Sequence, residues 1–459
     1  MKPPPSPYHC LTLSLLLIPP LLLAATTAYL LQAFPPPRNA SSPLTRTDHG
    51  LAGLPLNHTA RELYPEHFYD GGAYARLLMG KVRYWLIGPV DGRRVVLVNG
   101  LSIPAVIWKD VAPALATQGF RVLLYDLYGR GYSDAPHTTY DVGLYTNQLA
   151  FLMQHIRWDK ADIVGVSMGG AIAAAFTYHF PHLVGEHVGL IASAGIMQSA
   201  DLPRTAKFMS SPLIQRVAKS KIVRTYLQRL AEAPQSGVDP VSPSDSDSSS
   251  DAAAKAPSTE SQNAKASKFL LQEIVRVQSA HLDGYNGALA SSLREGPIRG
   301  LRVCFEGRRG VHGAGGNSKV KEEMEGAADE KNPWTGRNVL LIHGTDDPTV
   351  PYKYAGEIAG LLSGAVSPVQ LDSPTDGGYD GEDVAPQTLF SSPHPLSSAD
   401  PKSRLQSHSQ TVPPADGTRP HTRVVTVHGG KHDLTVSHPA LVVRELVRLF
   451  GGAGPRESG

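Results

Sequence analysis

The sequence predicts an α/β chain, built on a mostly parallel sheet with helices on both faces, and three observations carry that expectation. Strand-like apolar runs alternate with helical stretches between Lys81 and Ser193, the order that threads a parallel sheet through crossover helices. One such run, Ala161-Asp-Ile-Val-Gly-Val, passes through Gly165-Val-Ser167-Met-Gly169 into the small-residue stretch Ala171-Ile-Ala-Ala-Ala-Phe. That is a G-x-S-x-G turn in the strand-to-helix context that gives the motif meaning. The runs at 337–343 and 423–428 each end in a short loop carrying a polar residue, Asp347 in one and His432 in the other. Ligands of such sheets bind beyond the carboxyl ends of the strands, so polar residues at several strand ends mark a candidate site.

Taken in order, residues 1–34 hold Lys2 and then a charge-free apolar run over 10–34. A bilayer is spanned by about 20 such residues. Pro19 and Pro20 would kink the run and leave two readings, a signal peptide cleaved near Ala28 or a retained signal anchor. Continuation of the run to Phe34 favours the anchor. Residues 35–68 read as a juxtamembrane linker, and their sequons make Asn39 and Asn57 candidate N-glycosylation sites. The expectation is a single-pass membrane protein, in contact with the membrane through this segment, whose catalytic domain is lumenal or extracellular; cleavage would make it secreted.

Residues 69–200 form the first half of the expected core, with strands at 81–88, 94–99, 120–126 and 186–193 and helices at 103–118 and 140–156. Alternation then stops. Residues 201–300 read as a helical cap, with helical patterns at 208–233, 267–280 and 286–294 and a Ser, Asp, Ala and Pro-rich disordered insertion at 234–266. Residues 301–336 are a polar insertion; Gly313-Ala-Gly315 lacks the third glycine of a dinucleotide loop. The sheet resumes over 337–450, interrupted by a second low-complexity insertion at 373–420 and closed by an amphipathic helix at 439–450, before a tail at 451–459.

Composition narrows the partners. With 43 basic and 41 acidic side chains the net charge is +2, so no long-range field recruits nucleic acid. Cys10 and Cys304 are the only cysteines, which argues against an internal disulfide, and neither sits in a His-rich cluster, so no metal or other cofactor is expected.

A serine hydroxyl becomes a useful nucleophile only beside a base that an acid holds in the right tautomer. Ser167, Asp347 and His432 supply those types in that order. The bland alternative for Ser167 is a helix N-cap, and for Asp346 or Asp347 a turn-forming residue. His428 and His343 sit at strand ends where a satisfied structural histidine is ordinary, and Asp126 and Asp134 flank a glycine loop as turn and packing residues.

On Asn99-Gly-Leu-Ser102, Asp126-Leu-Tyr-Gly-Arg-Gly-Tyr-Ser-Asp134, Gly165-Val-Ser-Met-Gly169, Gly344-Thr-Asp-Asp-Pro-Thr-Val-Pro351 and Gly429-Gly-Lys-His432, the chain resembles the α/β-hydrolase superfamily in its cap-bearing esterase and lipase branch. The resemblance implies Ser167 as nucleophile, Asp347 rather than Asp346 as acid and His432 rather than His428 as base, with the backbone N–H groups of Leu101 and Met168 as the oxyanion hole. It also implies a small-molecule ester, or a lipid resembling a monoacylglycerol, as substrate. Where the family commonly has His-Gly after the third strand, this chain has Asn99-Gly100. A serine at the elbow sets the chain apart from the epoxide hydrolases and dehalogenases of the family, which use aspartate there. A peptidase and a C–C bond hydrolase share the same triad, and a binding protein on the same scaffold is the non-catalytic alternative. The basic apolar run at 208–227 fits either a lipid surface or an ordinary cap helix.

Overall fold

Runs such as Val95-Val-Leu-Val98 and Ile163-Val164 leave no polar face, so their strands need cover on both sides. The computed structural model describes residues 47–202, 207, 259–307, 332–365, 368–371 and 407–451. The strands of its main sheet are β1 (Gly72–Leu77), β2 (Gly80–Ile87), β3 (Arg93–Val98), β4 (Phe120–Tyr125), β5 (Ala161–Val166), β6 (Val184–Ile191), β7 (Asn338–Gly344), β8 (Ser407–Val412) and β9 (His421–Val427). They form one sheet in the order β8-β9-β7-β6-β5-β3-β4-β2-β1. From β9 to β4 all neighbours pair in parallel, while β8, β2 and β1 attach antiparallel at the two ends. After β3 the chain steps outward to β4, and after β5 it steps the opposite way to β6. The crevice between the ends of β3 and β5 is therefore the switch point where a ligand has room to bind.

The described helices are α1 (Thr59–Leu63), α2 (Ala112–Thr117), α3 (Val142–His155), α4 (Met168–His179), α5 (Thr259–His281), α6 (Tyr285–Glu295), α7 (Arg302–Glu306), α8 (Lys353–Ser363), α9 (Leu434–Ser437) and α10 (Pro439–Leu449). Period-two alternation divides the core. Val96, Leu123 and Ile163 pack with Leu149 of α3, Phe176 of α4 and Ile358 of α8. Val95, Leu124 and Val164 pack with Leu115 of α2 and Leu446 of α10. The α/β expectation and the strands it named are present.

Several local expectations are corrected. Residues 103–118 do not form one helix: a 3-10 turn at Ala105–Trp108 is followed by α2, whose start carries Pro113. Pro104 and Pro113 cannot donate to a helix ladder, and the Ala105 N–H is taken by Asp126 Oδ1 at 2.8 Å. From residue 47 the expected linker is part of the core: Leu51, Ala60 and Tyr64 are buried, and Thr47–Asp48 pairs with Ala135–Pro136. The second insertion holds β8, whose polar Ser407-His-Ser-Gln suits an edge strand with a solvated face and so lacks an apolar signature. In the polar insertion, Cys304, Phe305 and Trp334 are buried, and the Trp334 indole donates to the Cys304 carbonyl at 2.8 Å. The helical pattern at 208–233, the insertion at 234–266 up to residue 258, and residues 308–331 and 372–406 lie outside the described residues.

The localisation expectation is also corrected. Among the described residues no helix is long and apolar enough to cross a membrane. The longest, α5, has 23 residues and carries Lys265, Lys268, Glu273 and Arg276. The apolar run at 10–34 lies outside the described residues, as does Asn39, while Asn57 is exposed. A membrane anchor, a lumenal or extracellular placement and glycosylation are left without support.

Candidate active site

The tight turn between β5 and α4 follows from its glycines. A Cβ on Gly165 would overlap the Gly169 carbonyl, and one on Gly169 would overlap the carbonyls of Val98 and Asn99. Only a chain without side chains there folds α4 back across the sheet so closely. Ser167 sits at the apex at φ 57° and ψ −122°, a conformation that side-chain-bearing residues rarely adopt. Its N–H donates to the Ile191 carbonyl at 2.9 Å, and its carbonyl accepts from Gly170 at 3.0 Å and Ala194 at 3.1 Å. The backbone is thus pinned from two sides, which is how such strain persists.

His432, in the loop after β9, reaches Ser167 from across the crevice. Its Nε2 is 2.9 Å from Ser167 Oγ and its Nδ1 is 2.8 Å from Asp347 Oδ2. With the proton on Nδ1, His432 donates to Asp347 and accepts from the serine hydroxyl. The Asp347 side chain is fully buried, whereas that of His432 is 24% exposed. Burial alone would push the Asp347 pKa up. Hydrogen bonds from His343 and His432, together with the positive charge that His432 can carry and the Val350 N–H, outweigh it and hold the carboxyl well below the usual carboxylate range. Oδ1 accepts from the Thr349 and Val350 N–H groups at 2.8 and 2.9 Å. His343 stands behind, its Nε2–H donating to the Val350 carbonyl at 2.9 Å and lying 3.5 Å from Asp347 Oδ2.

The remaining candidates separate by environment. Asp346 is exposed and takes a hydrogen bond from Thr345, and His428 is half-buried. Asp126 is buried and accepts from the N–H groups of Ala105 and Tyr132 and from the Tyr64 hydroxyl. Asp134 accepts the Lys81 N–H at 2.8 Å. Both tie loops together away from Ser167.

Leu101 and Met168 flank the serine. Met168 opens α4, where a helix leaves its first N–H groups without intrahelical partners. The loop carrying Leu101 passes close to Ser167, since a Cβ on Gly100 would lie 3.4 Å from the serine Cβ. Asn99 fastens that loop: its side-chain amide donates to the Tyr125 carbonyl at 2.8 Å and its Oδ1 accepts the Trp108 indole N–H at 3.1 Å. From above, the Tyr285 hydroxyl donates to the Ser102 carbonyl at 3.0 Å. Asn99 falls within the Asn99-Gly-Leu-Ser102 stretch, but no sequence motif signals its partners Tyr125 and Trp108 or the Tyr285 contact.

Ser167 and His432 open into a cavity of about 550 Å³. Most of its wall is apolar, including Leu101, Ile107, Met197, Leu271, Leu293 and Ile298, with Lys268 and Gln272 on α5 and Lys431 beside the histidine. Among the described residues no cluster of His, Cys, Asp or Glu has the makings of a metal site.

A family model described as the alpha/beta hydrolase fold matches residues 93–217, which take in the Leu101 loop and the serine elbow. The chain is an α/β-hydrolase-fold protein. Within that fold it is 33% identical over 112 residues to an uncharacterised protein of Mycobacterium tuberculosis, covering 24% of this chain and 32% of that one. It is 37% identical over 110 residues to the 2-hydroxy-6-oxo-2,4-heptadienoate hydrolase of Pseudomonas putida, covering 23% of this chain and 39% of that one. The α/β-hydrolase match thus spans about a third of the length of these curated relatives. A hydrolase from Pseudomonas aeruginosa superposes with a TM-score of 0.48 at 14% identity, covering 83% of this chain and 99% of that one.

Proposed function

We propose that the chain is a serine hydrolase that cleaves carboxylic esters through an acyl-enzyme, with Ser167 as nucleophile, His432 as base and Asp347 as the acid that orients it. The observation that carries this reading is the unbroken chain Ser167 Oγ, His432 Nε2, His432 Nδ1, Asp347 Oδ2, at 2.9 and 2.8 Å, opening on an apolar cavity. As Ser167 Oγ attacks the acyl carbon, His432 Nε2 takes its proton and Asp347 stabilises the imidazolium. The Leu101 and Met168 N–H groups receive the negative charge on the carbonyl oxygen. His432 then protonates the leaving alcohol, and in the second half it draws a proton from water to release the acid and restore the serine.

The apolar wall favours an aliphatic acyl chain, with a monoacylglycerol-like lipid as the substrate that best fits both the cavity and the cap. A second reading, C–C bond hydrolysis on the same triad, draws on the Pseudomonas putida relative. The test is turnover of p-nitrophenyl esters of increasing acyl length, of a monoacylglycerol and of a 2-hydroxy-6-oxo-dienoate, by wild type, Ser167→Ala and His432→Ala. Ester cleavage that disappears with Ser167 supports the proposal. Turnover of the dienoate alone overturns it in favour of the second reading, and no turnover of any of them points to a binding protein.

A further inference from the structure

Arg130 is a buried cation that the triad does not use. It is 1% exposed, and among the described residues no carboxylate forms an ion pair with it. All its partners are neutral acceptors. Nε donates to the Leu101 carbonyl at 2.8 Å, one terminal nitrogen to the Tyr128 carbonyl at 2.9 Å and the Tyr145 hydroxyl at 2.6 Å, and the other to Ser292 Oγ at 2.9 Å. Burying a guanidinium without a counter-charge is costly, so this placement calls for a role that a neutral side chain would not fill.

The partners lie on parts of the chain that are far apart in sequence. Leu101 belongs to the loop after β3 and Tyr145 to α3. Ser292 lies on α6, in the cap. Ser292 itself is fully buried; its hydroxyl donates to the Ala288 carbonyl at 2.7 Å, leaving its oxygen to accept from both Tyr145 and Arg130. A second cap contact grips the adjoining residue, where the Gly131 N–H donates to Gln278 Oε1 at 2.7 Å. The planar fork of arginine holds all these acceptors in one geometry. The carbonyl it fixes belongs to Leu101, which lines the cavity with Ser167 and is read above as an oxyanion donor.

We propose that Arg130 is a positioning residue that couples the cap to the oxyanion loop, so that seating of α6 through Ser292 sets the orientation of the Leu101 N–H. The inference rests on the reading of Leu101 as an oxyanion donor. Among the described residues Ser292 makes no hydrogen bond to that loop, and its hydroxyl reaches it through the guanidinium and Tyr145. α6 also holds the loop directly through the Tyr285 hydroxyl on the Ser102 carbonyl, a contact that Ser292→Ala and Arg130→Lys leave in place.

The test compares Ser292→Ala and Arg130→Lys with Ser291→Ala in the full chain. Ser291 is the matched control, because its hydroxyl accepts the Tyr140 backbone N–H at 2.9 Å, a cap-to-core bond that uses none of the guanidinium's donors, although the Tyr140 ring lies 5.8 Å from the guanidinium carbon. Two readouts are taken: hydrogen–deuterium exchange of residues 100–105, and kcat and KM on the best ester. Ser292→Ala and Arg130→Lys are expected to speed exchange in that loop and to lower kcat roughly tenfold with KM within about twofold, the pattern of a contact made in the transition state. Ser291→Ala should leave the loop's exchange and kcat near wild type. Equal effects of Ser291→Ala and Ser292→Ala would reduce the contact to general cap stability, and unchanged loop exchange in both test variants would overturn the coupling. If wild type cleaves no ester, the hydrolase reading fails by itself, and the exchange data still decide whether cap and loop are linked.

Discussion

The indole N–H of Trp108 donates to the side-chain oxygen of Asn99 at 3.1 Å, and both residues are fully buried. Asn99 stands where the resemblance leads one to expect histidine, and the contact explains how the substitution is accommodated. Its amide donates to Tyr125 at the end of β4 while its oxygen takes the indole proton. The loop that carries Leu101 is thereby fastened to β4 and to the 3-10 turn at Ala105–Trp108.

Replacing Asn99 with alanine leaves a buried indole N–H and a buried carbonyl without partners, each worth about 1–3 kcal/mol. Asn99→Ala is expected to lower the unfolding free energy by roughly 2 kcal/mol or more and to reduce kcat more than it raises KM. Denaturant unfolding and steady-state kinetics on one preparation check both.

Ser167 carries backbone strain that glycine would not. A side-chain-bearing residue at positive φ costs about 1–3 kcal/mol, whereas glycine's extra unfolded-state freedom costs roughly 0.5–1. Ser167→Gly and Ser167→Ala both lack the hydroxyl, so their difference isolates the strain. The glycine variant is expected to be more stable than the alanine variant by about 1 kcal/mol, read as a higher midpoint in urea; equal midpoints would mean the elbow is unstrained.

Two buried carboxyls give opposite dependences on pH. Asp347 titrates below its ordinary value of 3.8 in the folded chain, so its stabilisation is complete above that value and is lost as pH falls below it. Burial pushes Asp126 up from 3.8 to about 6, against the opposing N–H groups of Ala105 and Tyr132, the Tyr64 hydroxyl and the Arg83 charge. The folded chain then binds a proton more tightly than the unfolded chain, so stability falls as pH rises from about 4 to about 6 and levels off above. Thermal unfolding across that window should show a smaller slope for Asp126→Asn than for wild type, on a lower overall stability. An identical slope would contradict the assignment.

Val275 lines the cavity on α5 beside Leu271 and Gln272. Val275→Trp is expected to shorten the preferred acyl chain, cutting kcat/KM for long esters by roughly tenfold while short ones change by less than about twofold. A uniform loss across all lengths would place the acyl chain elsewhere.

The parallel centre of the sheet was legible because strands buried on both faces are written as unbroken apolar runs, as in Val95–Val98, and the elbow because Gly165 and Gly169 bracket Ser167. Edge elements were not. Ser407–Val412 pairs with β9 through its backbone while Ser407, His408, Ser409 and Thr411 are exposed, so its composition imitates a linker. Residues 47–68 looked like a tether because their burial is supplied by partners such as Asp126 and Gly131, met only in the folded chain. The same holds at the site. Asp347 and His432 end strands and could be named, but Arg130 bonds Ser292, 162 residues away, and no local pattern marks that contact.

The most direct test of the central claim is intact-mass and peptide mapping after treatment of the folded chain with a fluorophosphonate. A single phosphonyl adduct on Ser167 is expected, abolished in Ser167→Ala and slowed at least a hundredfold in His432→Ala. An adduct on another serine, or labelling of Ser167 that does not depend on His432, would contradict it.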